Sequence, residues 1–243
     1  FSGKITADAG IDIDNFNIDG TTIALSSGDI TLDAAGRIDL SADDAGEVRL
    51  FDGSLHYGQF KEDSSNFIIQ NVIQDKGIHI KTNSGGSEVN GILVNSTGAV
   101  TMPTQPAFSV HKNNTDQNNL GTGDITVAWS AERFDVGANF ASNAFTAPVT
   151  GKYQLQVSLR FNDLDADHTY MMVVISTSKE NYRFIIDPDF GQDAAFFTIS
   201  GRILADMDAN DTASVIVNRD GGASTSDIEG DAEYTHFSGF LAC

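Results

Sequence analysis

The sequence predicts an all-β protein in two parts, an N-terminal trimeric β-helical or β-repeat stalk followed by a C-terminal jelly-roll sandwich. Three observations carry that prediction. Apolar and polar residues alternate at period two, and the i, i+3, i+4 spacing of a helix is absent. Glycine is frequent, at 23 residues, and proline scarce, at 4, which suits many tight turns and few broken ladders. The texture changes once, at Thr101-Met102-Pro103-Thr104-Gln105-Pro106, where two prolines make an extended connector without ladder donors. The expected division is 1–103 for the stalk and 104–243 for the head.

The stalk reads as a short unit repeated. Ile11-Asp-Ile13, Thr22-Ile23-Ala-Leu25, Gly28-Asp-Ile30-Thr-Leu32, Gly36-Arg-Ile38-Asp-Leu40 and Gly46-Glu-Val48-Arg-Leu50 each place a small turn residue before an apolar-polar-apolar triplet. The pattern continues through Gly77-Ile78-His-Ile80, Gly91-Ile92-Leu93-Val94 and Gly98-Ala99-Val100. Such a strand offers two inward apolar side chains. Burying each gives roughly 1.5–3 kcal/mol, while ordering each backbone residue costs roughly 1–2 kcal/mol. A lone rung therefore loses, and three chains sharing one axis pool enough side chains to close a core. A single-chain β-solenoid is the alternative.

The head strands are longer and richer in aromatics. Ala107–His111, Ile125–Ser130, Phe145–Thr146, Tyr153–Phe161, Tyr170–Thr177, Arg183–Ile186, Ala195–Ala205, Ala213–Asn218 and Thr235–Leu241 read as strands between Gly, Asn and Asp clusters. Gln154–Phe161 alternates cleanly and should show one face to the core. Tyr170–Ile175 is continuously apolar and should be buried on both faces, against the core and against a neighbouring subunit. Trp129, Phe145, Tyr153, Phe237 and Phe240 are expected to stabilise the head and the trimer. Tyr153→Ala should cost about 3–5 kcal/mol of unfolding free energy, read by denaturant titration.

Charge limits the partners. Acids outnumber bases 34 to 14, giving −20, of which −9 falls in residues 1–103 and −11 in 104–243. A field of this sign disfavours nucleic acid and anionic membranes, and leaves carboxylates to meet cations or sugar hydroxyls. No apolar run approaches the about 18 residues of a membrane-spanning helix, so no membrane insertion is expected. The one cysteine, Cys243, excludes an intrachain disulfide.

Chemical motifs are sparse. Asp163-Leu-Asp165-Ala-Asp167 spaces carboxylates like the start of a calcium loop, but no glycine turn or distal Glu follows, so a solvated loop is expected. Asp206, Asp208, Asn210 and Asp211 read as a tight turn. His56, His79, His111, His168 and His236 have no zinc-ligand spacing. Hydrolase, Walker and dinucleotide motifs are absent, so no enzyme, cofactor or metal is expected. Binding is expected instead in the polar loops 162–168, 187–194 and 219–233, through Asp163, Asp165, Asp167, Asp189, Phe190 and Tyr234.

Two resemblances sharpen this reading. Phe145-Thr-Ala-Pro-Val-Thr-Gly151-Lys-Tyr153 and Phe237-Ser-Gly-Phe-Leu241 resemble signatures of the tumour necrosis factor-like jelly roll, specifically the globular head of the q subunit of the first complement component. Leu155 and Val157 stand where that family carries aromatics. The resemblance implies a trimeric ten-strand jelly roll that binds through loops and performs no chemistry. Gly28-Asp-Ile-Thr-Leu-Asp-Ala-Ala-Gly36-Arg-Ile-Asp-Leu40, with Tyr57-Gly-Gln-Phe60 and Asn66-Phe-Ile-Ile-Gln70, is similar to repeats in virion structural proteins of marine tailed bacteriophages. That similarity implies a homotrimeric tail fibre, located in the virion and acting outside the cell on a host surface glycan or protein. A decoration or tail-assembly protein docked to other virion proteins is the alternative, and a glycan-cleaving tailspike a third.

Overall fold

The computed structural model describes residues 27, 29–42, 46–223 and 225–243. The expected rungs at Ile11–Ile13 and Thr22–Leu25 lie outside the described residues. Eighteen strands and no helix occur among the described residues. They divide into two compact units, one ending at Ile69 and one spanning Gln70–Cys243.

In the first unit, β1 (Glu47–Asp52), β2 (Leu55–Asp63) and β3 (Asn66–Asn71) form one antiparallel sheet in that order. Two-residue turns join them, with Gly53 at φ 58° and Ser64 and Ser65 at 52° and 70°. The rungs expected at Ile30/Leu32 and Ile38/Leu40 are not strands: residues 29–42 carry no ladder. Their apolar side chains stand 53%, 64%, 50% and 67% exposed. Among the described residues no strand covers these side chains. The Val48/Leu50 rung does form, inside β1. The described strands are hairpins of six to nine residues rather than short coils of a β-helix.

The second unit opens with a three-stranded antiparallel sheet of β4 (Ile78–Ser84), β5 (Ser87–Val94) and β6 (Val100–Thr101). Gly85 and Gly86 make its first turn at φ 60° and 86°, a pair of left-handed conformations that glycine adopts without strain.

The remaining strands build the sandwich. They are β7 (Ala107–His111), β8 (Gly123–Thr126), β9 (Ala131–Val136), β10 (Phe140–Ala141), β11 (Ala144–Thr146), β12 (Gly151–Leu164), β13 (His168–Thr177), β14 (Asn181–Ile186), β15 (Ala194–Met207), β16 (Thr212–Gly221), β17 (Asp227–Ile228) and β18 (His236–Leu241). One sheet runs β10-β11-β16-β13-β14, with β8 also pairing β16. The other runs β15-β12-β18-β7-β9, with β17 also pairing β12. The pairings are antiparallel and consecutive strands cross repeatedly between the sheets, which is jelly-roll topology in two six-strand layers.

The core lies between the layers. Tyr153, Leu155, Val157, Leu159 and Phe161 of β12 are all fully buried, as their alternation predicts. They face Met171, Val173 and Ile175 of β13 and Val215 and Val217 of β16. Phe108 stacks on Phe145 at 4.6 Å and meets Phe237 edge-on at 5.0 Å. Gly239 permits this closeness, because a Cβ there would stand 2.6 Å from Leu155 and 2.8 Å from Phe108. The Tyr153 hydroxyl donates to Val149 O at 2.8 Å.

Four expectations need adjustment. Ile125–Ser130 is a strand only to Thr126, because the chain then leaves one sheet for the other and cannot keep a ladder while crossing. The two-residue strands β10 and β17 are too short to alternate, and β9 is not legible because a register shift interrupts its pairing with β7, Ser109 facing Phe134 and Val110 facing Glu132. Phe240 does not join the core: it pairs with Gln154 on the outer face and is 49% exposed. Along β13, Met171, Val173, Val174 and Ile175 are buried, while Tyr170 and Met172 are half-buried. Ile216 and Arg183 flank Val174 in the ladder, so neighbours in the same sheet help cover it.

Candidate functional site

Strand register gathers the nominated loops at one end of the sandwich. Leu164 pairs with Ala194, His168 with Gly221 and Asn162 with Asp227, so the loops around 162–168, 187–194 and 219–233 emerge side by side. A fourth loop, 112–122, joins them: Asn114 N donates to Gly230 O at 2.8 Å and Gln117 pairs with Ile228. The chain enters the sandwich at the opposite end, where Leu241 N donates to Pro106 O and Lys152 N to Cys243 O. The loop end thus lies opposite the end where the chain enters the sandwich.

A buried polar brace locks these loops together. Asp165 is 7% exposed and accepts N–H bonds from Asp167, at 2.8 Å, and from Ala223. The Ala223 bond, then the Asp167 bond, hold its carboxyl below the usual carboxylate range. His168 lies 2.9 Å from Ser226 Oγ through Nε2 and 3.1 Å from Gly221 O through Nδ1. Ser226 Oγ donates to Asp163 O and accepts from Asp165 N. Arg219 donates to Leu120 O and Gly221 O, each at 2.7 Å. Ser226 is fully buried, and the second nitrogen of His168 meets a carbonyl rather than a carboxylate, so the pair serves as a lock and not as a nucleophile with its base.

Two aromatic features face outward from this frame. The Arg160 guanidinium lies between Phe196, 4.1 Å away, and Tyr234, 4.2 Å away, while Arg160 Nε pairs with Glu229 at 2.5 Å. Phe196 is 63% and Tyr234 41% exposed. Beside them Phe190 stacks on Phe197 at 5.4 Å in an open pit of about 450 Å³, lined also by Gln192 and Asp193.

The predicted residues therefore separate by role. Asp163, Asp167, Asp189 and Phe190 are exposed, and Tyr234 stands over Arg160. Asp165 points into the brace, where backbone N–H groups occupy its oxygens. Arg160, Phe196 and Phe197 belong to the same end but lie outside the nominated loops, whereas Glu229 falls within 219–233. The one signal for those three was the outward side of the Gln154–Phe161 alternation, on which Arg160 falls. No cluster of three metal-ligating side chains occurs among the described residues. Asp206, Asp208 and Asp211 form the expected turn, with Asp208 N donating to Asp211 at 2.8 Å, and Lys179 bridges to all three carboxylates.

Fold and site together define an all-β jelly-roll domain with a braced loop end. No protein-family model and no curated protein matches the chain. Among solved structures it is similar to the globular domain of zebrafish complement 1qA protein, at 19% identity and TM-score 0.43, over 57% of this chain and 98% of that one. It is also similar to murine APRIL at pH 8.0, at 14% identity and TM-score 0.43, over 56% of this chain and 98% of that one. The fold assignment rests on the strand order and register given above.

Proposed function

We propose that the chain is a homotrimeric fibre protein of a tailed bacteriophage, whose jelly-roll head binds a glycan on the host surface and performs no chemistry. One observation carries this reading. The rigid end of the sandwich that presents Phe190, Tyr234 and several carboxylates lies opposite the end where the chain enters. Rigid loops on a fixed scaffold suit recognition, because little ordering entropy is lost on contact. Exposed aromatic faces and carboxylates suit sugar rings and hydroxyls.

Trimer formation draws support from the apolar residues one copy leaves exposed. Ile30, Leu32, Ile38 and Leu40 are unpacked in the N-terminal unit. On the sandwich, Leu204, Gln154, Phe240, Ala107 and Val136 form one cross-strand row on the outer face of β15-β12-β18-β7-β9. Such rows suit burial between copies.

The test is binding of the labelled chain to cells of the bacterium that the parent virion infects. Saturable binding, lost after periodate oxidation of the cell surface and weakened by Phe190→Ala or Tyr234→Ala, is expected. No cell binding, with stable capture by virion proteins, would establish the assembly role instead. Release of reducing sugars from host polysaccharide would establish a hydrolase.

A further inference from the structure

A second cavity, of about 450 Å³, opens on the side of the sandwich and shares no residue with the pit of Phe190. It lies where β9 ends one sheet and the two-residue β10 ends the other, so the edge there is incompletely closed. The floor is apolar: Val110, Trp129 and Phe140. Both rings are backed by the core, with Trp129 stacked 6.1 Å from Phe237 and Phe140 lying 5.2 Å from Phe108. The rim is polar: Ser130, Glu132, Ser142 and Asn143.

The rim is built with some care. Ser142 and Asn143 form the β10–β11 turn with φ 51° and 66°, both left-handed and neither glycine. Asn143 Oδ1 accepts the backbone N–H of Trp129 at 2.8 Å, so this turn fixes the segment that carries the indole. The Asn143 amide nitrogen donates no hydrogen bond among the described residues, which leaves its two donors for a ligand. Glu132 sits opposite the buried Val110 in the ladder and makes no ion pair among the described residues. An aromatic floor, a carboxylate acceptor and amide and hydroxyl donors thus converge in a volume typical of small-ligand sites.

We infer that this cavity binds a neutral sugar ring. The C–H face of a pyranose packs on Trp129 and Phe140, and its hydroxyls donate to Glu132 and accept from Asn143. Glu132 and the net charge of −20 repel carboxylated or sulfated sugars, which makes the preference one for uncharged rings. The inference rests on the glycan-binding reading above but places a contact on the side of the head, outside the pit of Phe190.

Trp129 is the single tryptophan of the chain, so its emission reports on this cavity alone. The full chain is titrated with methyl glycosides of glucose, galactose, mannose and N-acetylglucosamine, with glucuronic acid as the charged control. At least one neutral glycoside should shift Trp129 emission saturably, and glucuronic acid should not. Glu132→Gln should weaken that response about tenfold, with an unchanged melting temperature, whereas Phe190→Ala should leave it intact. Absence of a saturable shift with every neutral glycoside overturns the inference, as does a shift that Glu132→Gln leaves unaltered. Cell binding with a silent Trp129 removes the cavity and keeps the adhesive role. A responsive Trp129 without cell binding does the reverse.

Discussion

His236 shows how one residue sets a pH response. It is half-buried on β18, and its buried Nδ1 has no hydrogen-bond partner among the described residues. Burial, and then the Arg133 guanidinium, hold its imidazole below the ordinary histidine value. The unfolded chain takes up this proton near pH about 6.5, while the folded chain resists it. Its contribution is therefore complete above pH about 6.5 and is lost as pH falls through the lowered folded value. Thermal unfolding of the wild type against His236→Gln should show it. The midpoint should drop more on acidification in the wild type, and carboxylates common to both proteins cancel in the difference. Lys112 is a contrasting buried base: burial lowers its pKa too, yet its Nζ keeps Ala128 O as an acceptor at 3.0 Å.

Among the elements, the loop brace is the feature with the most consequence. Ser226 Oγ joins three partners, His168, Asp163 and Asp165, across two loops. Ser226→Ala leaves buried polar groups unpaired and should cost about 1–3 kcal/mol. Amide exchange should quicken in 163–168 and 221–226, while the centres of β12 and β16 stay protected. Elements were legible in the sequence where one face alone decides burial. Gln154–Phe161 alternates because β12 spans the sandwich with the core on one side only, and the observed strand extends that reading at both ends. Legibility failed where position depends on distant chain. Trp129 lies past the end of β8 because the chain changes sheets there, and Asp165 turns inward because Ala223, far along the sequence, donates to it. The stack of Arg160 between Phe196 and Tyr234 joins three separate segments and leaves no local pattern.

At the scale of the whole molecule, the outer-face row of Leu204, Gln154, Phe240, Ala107 and Val136, apolar at all but Gln154, carries the prediction. Leu204 is 56% exposed on β15, where a charge would not disturb the core. Leu204→Glu should convert the expected trimer to smaller species in light scattering, with the monomer's β-sheet signature retained. In the wild type the melting temperature should rise with protein concentration, and in the variant that dependence should flatten. A single species at monomer mass for the wild type would remove the trimeric reading. The position of Cys243 has a practical corollary. It is the sole thiol, it is exposed, and it lies beside Lys152, at the end of the sandwich remote from Phe190 and Tyr234. Maleimide coupling through it would tether every copy in one orientation on a sensor chip, leaving the opposite tip turned toward the sample.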